Sequence, residues 1–96
     1  MIKHLVFFKM KEDADPADQE RMVAMLRALP AVIPQIKDFE VGVNFATGPA
    51  ASDISLYSTF ENAADMETYR VHPEHQKVVA FIGEVTSERR VVDYEV

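Results

Sequence analysis

The chain of 96 residues contains no cysteine. This absence excludes disulfides, zinc–thiolate sites, iron–sulfur clusters and a thiol nucleophile, and it is typical of a reducing compartment. Long apolar runs are missing as well. None approaches the roughly 20 residues that a membrane-spanning helix needs, and the four apolar residues after His4 are too few for the core of a signal peptide. We therefore expect a cytoplasmic protein without a membrane partner.

Basic residues are scarce, because ten lysines and arginines stand against sixteen aspartates and glutamates, a net charge of −6. Phosphate backbones repel such a chain, which argues against a nucleic-acid partner. The three glycines are scattered and form no phosphate-binding loop. The apolar fraction, in contrast, is 48%, which is enough for a packed core. At this length it predicts one globular domain over residues 1–96.

Four segments have the composition or the alternation of β-strands. They are Ile2–Met10, Phe39–Phe45, Ile54–Phe60 and Thr86–Glu95. The first has large apolar side chains on both faces, so we expect it to be central in its sheet. A short loop containing Gly48-Pro49 joins the second and third strands, which predicts an antiparallel hairpin.

Helical regions separate these strands. Asp15-Pro16 is an N-cap followed by a proline at the first helical position, and the apolar spacing after it predicts a helix over residues 16–29. The second helical region is interrupted at His72-Pro73, because the residue before a proline avoids helical backbone angles. It resumes over Glu74–Ile82, and we expect Gly83 to end it.

The resulting order is strand, helix, strand, strand, helix, strand. It predicts an α+β protein with the ferredoxin-like βαββαβ arrangement, a four-stranded antiparallel sheet with its helices on one face. The helices can cover only that face, whereas Leu5, Phe7 and Tyr57 belong to the other. An open apolar face of this kind marks a protein interface, so we expect a homodimer that forms sheet to sheet.

Three histidines and one tyrosine are candidates for chemistry near neutral pH, where imidazole is the usual general acid or base. His4, in the first strand, is either a hydrogen-bonded, half-buried residue or a catalyst, and His72 either caps the following helix or takes part in binding. His75 lies in the first turn of that helix, and Tyr69 lies on the apolar stripe of the preceding one. A metal shared by the two later histidines is not expected, because Pro73 breaks their helical spacing and no third ligand is evident.

Several short segments of the chain form a distinctive set. In chain order they are Lys3-His4, Phe8-Lys9-Met10-Lys11, Leu29-Pro30-Ala-Val-Ile-Pro34, Phe39-Glu-Val-Gly42, Thr59-Phe60-Glu61, Tyr69-Arg-Val-His72-Pro73-Glu-His75 and Val92-Asp93-Tyr94. Taken together, and above all through the segment from Tyr69 to His75, they resemble the stress-responsive A/B barrel (Dabb) family of the dimeric α+β barrel superfamily. The resemblance covers essentially the whole chain and implies a ferredoxin-like fold that dimerises through its sheets.

The resemblance also implies candidate site residues. A few members of this family are polyketide cyclases that use no cofactor and catalyse an intramolecular aldol condensation, whereas many members have no established function. The catalytic tyrosine and histidine of those cyclases match Tyr69 and His75, and His4 matches a histidine that lines their cavity. The cyclases have a further histidine on the third strand where this chain has Ile54. We therefore expect Ile54 and His72 to border the substrate, and the substrate to differ from that of the cyclases.

These inferences predict a protein that binds a small hydrophobic or aromatic molecule between its sheet and its helices. As a cofactor-independent cyclase or isomerase, it would use His75 to remove a proton next to a carbonyl and Tyr69 to bind the enolate oxygen. Two alternatives stay open. One is a cofactor-free monooxygenase or haem-degrading enzyme of the same fold, and the other is a non-enzymatic stress-response or interaction dimer with structural histidines.

Overall fold

Four strands and three helices follow one another in the computed structural model, which describes all residues from 1 to 96. In chain order they are β1 (Ile2–Met10), α1 (Pro16–Arg27), a single 3₁₀ turn (Leu29–Ala31), β2 (Asp38–Val43), β3 (Ile54–Phe60), α2 (Ala63–Val71), α3 (Pro73–Val85) and β4 (Thr86–Glu95). None of the helices combines the length and the apolarity that a bilayer crossing requires.

The strands form one antiparallel sheet in the order β2-β3-β1-β4. The prediction that β1 is central is confirmed, and the ferredoxin-like α+β arrangement is confirmed with it. The register places His4 of β1 opposite Ser58 of β3 and Asp93 of β4. Residues that pair across antiparallel strands project from the same face, so this register decides which polar groups meet beneath the helices.

The first helix begins as predicted and ends earlier than predicted. Asp15 forms a capping box, in which its carboxylate accepts from the Ala17 N–H and the Asp18 carboxylate accepts from the Asp15 N–H. The expected end at residue 29 is wrong, because α1 stops at Arg27 and a 3₁₀ turn follows. Pro30 has no N–H to donate to the previous turn, so the α-helical ladder cannot continue through it.

The break between α2 and α3 lies at His72, as predicted, but the end of α3 does not lie at Gly83. The helix runs on to Val85, and Thr86 closes it by donating both its N–H and its hydroxyl to the Ile82 carbonyl. Gly48 is the one glycine with a positive φ. Gly83 therefore does not adopt the left-handed conformation by which glycine ends helices, and the helix passes through it.

Because Gly83 lies inside α3, its replacement by alanine should stabilise the protein. A Cβ added at Gly83 would meet no atom within 4 Å, so Gly83→Ala should gain helix propensity without a clash and raise the free energy of unfolding by about 0.5–1 kcal/mol. Urea denaturation followed by circular dichroism measures the change. The matched control is Ala80→Gly at an exposed position of the same helix, which should lose a similar amount. A destabilised Gly83→Ala protein would contradict the prediction.

The core lies between the helices and one face of the sheet. Among its buried members are Val6 and Phe8 of β1, Leu56 and Phe60 of β3, and Leu26 of α1. Burial of these apolar side chains is the main force that holds the helices on the sheet.

The opposite face of the sheet is open and apolar at its centre. Phe7 is 39% exposed, and Val92 and Tyr94 of the edge strand β4 are 53% and 46% exposed. Leu5 and Tyr57 pair across β1 and β3 on this face and are half-buried. The predicted apolar face, which we call the open sheet face, is therefore present. On the side of β2 it is bordered by the polar residues Asp38 and Glu40, opposite Thr59 and Tyr57.

Candidate functional site

A cavity of about 360 Å³ lies between the helix-covered face of β1 and β4 and the helices α2 and α3. Its wall is mostly apolar, and it includes Val6, Phe8, Leu56, Met66, Val79, Ile82 and Val91. Its polar side chains come from the sheet and from the two helices. They are His4, Tyr69, Arg70, His75, Thr86, Arg89 and Asp93. The structure thus brings three of the five predicted site residues, His4, Tyr69 and His75, to one space.

Tyr69 is at the centre of this group. Only 2% of the residue is exposed, and its ring packs against Phe60 at 5.0 Å, against His75 at 4.1 Å and against His4 at 6.1 Å between centroids. Its hydroxyl is buried and has no hydrogen-bond partner. Burial raises the pKa of the phenol, since the phenolate would lose its hydration. Tyr69 therefore offers a neutral O–H group that can donate to a ligand.

His75 lies in the first turn of α3, where the break at His72-Pro73 turns it toward Tyr69. Its Nδ1 lies 3.0 Å from the Arg70 carbonyl oxygen. A carbonyl can only accept, so Nδ1 carries the proton and Nε2 of the neutral ring is left with its lone pair. Burial lowers the pKa of His75, and this effect outweighs the Arg70 carbonyl, which raises it. The ring is therefore neutral at pH 7 and able to act as a base.

His4 is held by a partner on the last strand. Its Nδ1 donates to the Asp93 carboxylate, which lies directly opposite in the pairing of β1 with β4. This hydrogen bond fixes the orientation of the imidazole and leaves Nε2 as its second polar atom. Sequence reasoning gave Asp93 no role. Two features together could have revealed it. The alternation in β4 puts Arg89, Val91 and Asp93 on one face, and the pairing of the first and last strands brings that face beside His4.

His72 lies outside the cavity, and this corrects the expectation that it borders a substrate. Its Nδ1 accepts from the Glu74 N–H at 3.1 Å, which makes it the N-cap of α3. The cap satisfies one of the amide groups that a helix leaves unpaired in its first turn, so the residue is needed where the chain changes direction. No group of three or more potential metal-ligating side chains is present.

Ile54 also lies outside the cavity, and this corrects the expectation that Ile54 borders a substrate. It is 1% exposed and lies opposite Phe8 in the pairing with β1, whereas Ser58 is the residue opposite His4. The Cα atoms of Ser58 and Ile54 lie four steps apart along the strand, a distance of roughly 13 Å at about 3.3 Å per step. The third strand therefore presents the buried Ser58, not Ile54, beside the imidazole of His4.

Comparison with known proteins agrees with this fold. The family model described as "Stress responsive A/B Barrel Domain" (Dabb) matches residues 2–96. An uncharacterized protein of Streptomyces coelicolor is 35% identical over 98 residues, which covers 99% of each chain. A dimeric protein of unknown function and ferredoxin-like fold from Bacteroides fragilis is 35% identical, with a TM-score of 0.85 over 99% of this chain and 95% of that one.

A hydroxynitrile lyase from Passiflora edulis is 20% identical, with a TM-score of 0.85 over 97% of this chain and 90% of that one, a likeness of fold alone. The matched family model spans nearly every residue described above, from β1 with His4 to β4 with Asp93. The chain therefore belongs to the stress-responsive A/B barrel domain family, as its sequence resemblance indicated.

Proposed function

We propose that this protein is a homodimeric acid–base catalyst that binds a small hydrophobic or aromatic ketone and removes a proton next to its carbonyl. Such a step begins a cyclisation by aldol condensation or an isomerisation, and it needs only side chains of the protein. The observation that carries the proposal is the Tyr69 hydroxyl, which is buried without a partner in an apolar cavity between two imidazoles.

The unpaired hydroxyl favours a ligand with a hydrogen-bond acceptor. A buried donor without a partner costs about 1–3 kcal/mol, and a ligand carbonyl oxygen would remove that cost. If the α-proton then leaves, negative charge develops on the same oxygen. The Tyr69 O–H, in its low-dielectric surroundings, stabilises this charge more strongly than it would in water.

His75 is the proposed base. Its centroid lies 4.1 Å from that of Tyr69, so both side chains can reach one bound ketone, which general acid–base catalysis requires. The Arg70 carbonyl holds Nδ1 and assigns the lone pair to Nε2, the atom that would take the proton. His4, oriented by Asp93, is proposed to contact the substrate.

The size and lining of the cavity support a small aromatic or aliphatic body for the ligand. A volume of about 360 Å³ lies at the lower end of the range for small-molecule sites, roughly 300–1,000 Å³. Apolar side chains such as Val6, Phe8 and Val91 provide the surface on which such a body would lose its hydration.

The proposed dimer follows from the open sheet face. Phe7, Val92 and Tyr94 leave an apolar surface that no helix of this chain covers, and the Bacteroides relative is described as dimeric. A second copy, placed sheet to sheet, would cover the surface on both protomers at once. An obligate interface of this kind would bury roughly 2,000 Å² or more in total.

The test is proton exchange in heavy water. Aryl ketones such as acetophenone and 4-oxo-4-phenylbutanamide exchange their α-protons slowly without a catalyst, and ¹H NMR follows the loss of the α-proton signal. The protein should accelerate this exchange with saturation at rising ketone concentration. Saturable binding of the ketones without any faster exchange would contradict the catalytic role and would leave a binding protein.

A further inference from the structure

We infer that the cavity selects ligands that carry a carboxylate, and that the Arg89 guanidinium binds this group. The inference deepens the proposed function, on which it rests, by naming the substrate class as keto acids. Arg89 lies on β4, directly opposite Phe8 of β1, on the strand face that lines the cavity. Its backbone is therefore fixed in the sheet, and the residue borders a mostly apolar cavity.

The Arg89 side chain has no partner within the protein. The ion pairs of the chain join His4 to Asp93, Lys37 to Glu61, Arg70 to Glu67 and Lys77 to Glu74. Arg70, the other arginine at the cavity, is held by Glu67 through two hydrogen bonds of 2.7 and 2.6 Å. Arg89 thus remains as an unpaired cation in a chain whose net charge is −6. Its five N–H donors have the planar geometry that suits a carboxylate.

The acidic side chain of the cavity does not oppose this assignment. Asp93 is hydrogen-bonded to His4, and its Cα lies four steps along the strand from that of Arg89, a distance of roughly 13 Å. The cavity therefore has a cationic end at Arg89 and a separate polar group at His4 and Asp93, with Val91 between them. The positive charge of Arg89 is close enough to His75 to lower the pKa of its imidazole.

A single carboxylate fits the charge of this site better than a dianion does. One unpaired guanidinium neutralises one negative charge, whereas a phosphate dianion would bring a second charge to an apolar wall, where charges without partners are costly. A keto acid would place its carboxylate on Arg89, its apolar body along Val91 and its ketone oxygen on Tyr69.

The experiment compares 4-oxo-4-phenylbutanoate with its primary amide, which has nearly the same shape and no charge. Isothermal titration calorimetry on the dimeric full chain gives the Kd of each. Because Arg89 is exposed to solvent, we expect the acid to bind about 10-fold more tightly than the amide, at the lower end for charge-assisted hydrogen bonds. Arg89→Gln should bring the ratio of the two Kd values close to one, and Arg89→Lys should keep part of it.

Lys11→Gln is the matched control, because it removes one positive charge from an exposed residue that does not line the cavity. Lys11→Gln should show the same ratio of the two Kd values as the parent protein. Equal Kd values of acid and amide for the parent, or a ratio that survives in Arg89→Gln, would overturn the inference even if the amide still exchanged its protons. Preference for the acid without proton exchange would overturn the catalytic proposal alone, and failure of both ligands to bind would overturn both.

Discussion

His75→Ala is expected to slow enzyme-catalysed proton exchange roughly 10²- to 10⁴-fold while the protein stays folded. The size of the effect is the usual contribution of a positioned general base. The fold should tolerate the change, because the Gln76 side chain also donates to the Arg70 carbonyl at 2.6 Å and would keep that acceptor satisfied. Exchange is measured by ¹H NMR, and circular dichroism on the same sample measures the folded fraction.

The matched control is His72→Ala. This histidine caps α3 through the Glu74 N–H and does not line the cavity. Its loss should lower the free energy of unfolding by about 1 kcal/mol, as for other N-caps, and leave the exchange rate of the folded protein unchanged. The reverse pattern, with exchange lost in His72→Ala and kept in His75→Ala, would contradict the assignment of the base.

Tyr69→Phe should lower the rate of the same exchange reaction roughly 10²- to 10³-fold, the usual effect of removing one hydrogen-bond donor to a developing oxyanion. Because the hydroxyl has no partner in the protein, phenylalanine keeps the packing against Phe60 and His75 and removes only an unsatisfied donor. Tyr69→Phe should therefore be as stable as the parent or more stable. A marked loss of stability would indicate that the hydroxyl has a structural role instead.

The pH dependence of kcat/KM follows from the environment of His75. The base must be neutral, and burial lowers its pKa below the ordinary value of 6.5. The acidic midpoint of exchange should thus lie below pH 6.5, with the rate at its plateau near pH 8, since kcat/KM reports the free enzyme. The positive charges of Arg89 and Arg70 also lower this pKa. Arg89→Gln should therefore move the acidic midpoint to higher pH.

Phe7→Glu should convert the proposed dimer into monomers or unfold the chain. Phe7 lies on the open sheet face between Ser55 and Arg90, and a two-fold interface would bring both carboxylates out of water. A pair with the exposed Arg90 would offset little of this cost, since surface ion pairs contribute about 0–1 kcal/mol. Light scattering at micromolar concentration should give twice the chain mass of 10.9 kDa for the parent and the chain mass for the variant.

Two further variants sharpen this experiment. Tyr94→Lys changes an exposed residue of the same face and should weaken the dimer without the risk that a central strand unfolds. Val32→Glu places the same acidic side chain on an exposed residue that follows α1, outside the sheet, and should leave the dimer intact. A parent protein with the mass of one chain would contradict the dimer outright.

Local sequence signals predicted most of the fold. The bounds of β1, β3 and β4 agree with the prediction, because alternation and flanking breakers act within a few residues. The prediction for β2 extended to Phe45, but the strand ends at Val43. There Asn44 turns the chain, its side chain donating to the Ser52 carbonyl and accepting from the Ala46 N–H. Asparagine side chains commonly form such turns with nearby backbone groups, and the alternating pattern did not reveal this one.

The candidate site was only partly predictable, for a different physical reason. Tyr69 and His75 lie six residues apart in the segment that carries the family resemblance, and that resemblance placed them together. Asp93 and Arg89 reach the cavity only through the register of β4 against β1, a pairing between distant parts of the chain. Ile54 was assigned by matching a position in other proteins, and the register placed Ser58 beside His4 instead.

The pairing of the first strand with the last also has a consequence for synthesis. Lys3 pairs with Tyr94 and His4 with Asp93, so the two strands that form one wall of the cavity are the first and the last elements of the fold to be synthesised. Closing a loop of this length carries a large entropic cost, which pairing and packing of β4 must offset. While β4 is still in the exit tunnel, β1 is an unpaired sheet edge with apolar residues, the type of surface that chaperones bind. We therefore expect nascent chains whose β4 is still in the tunnel to be unfolded or bound to a chaperone. Protection of these nascent chains against protease should appear only after β4 has emerged.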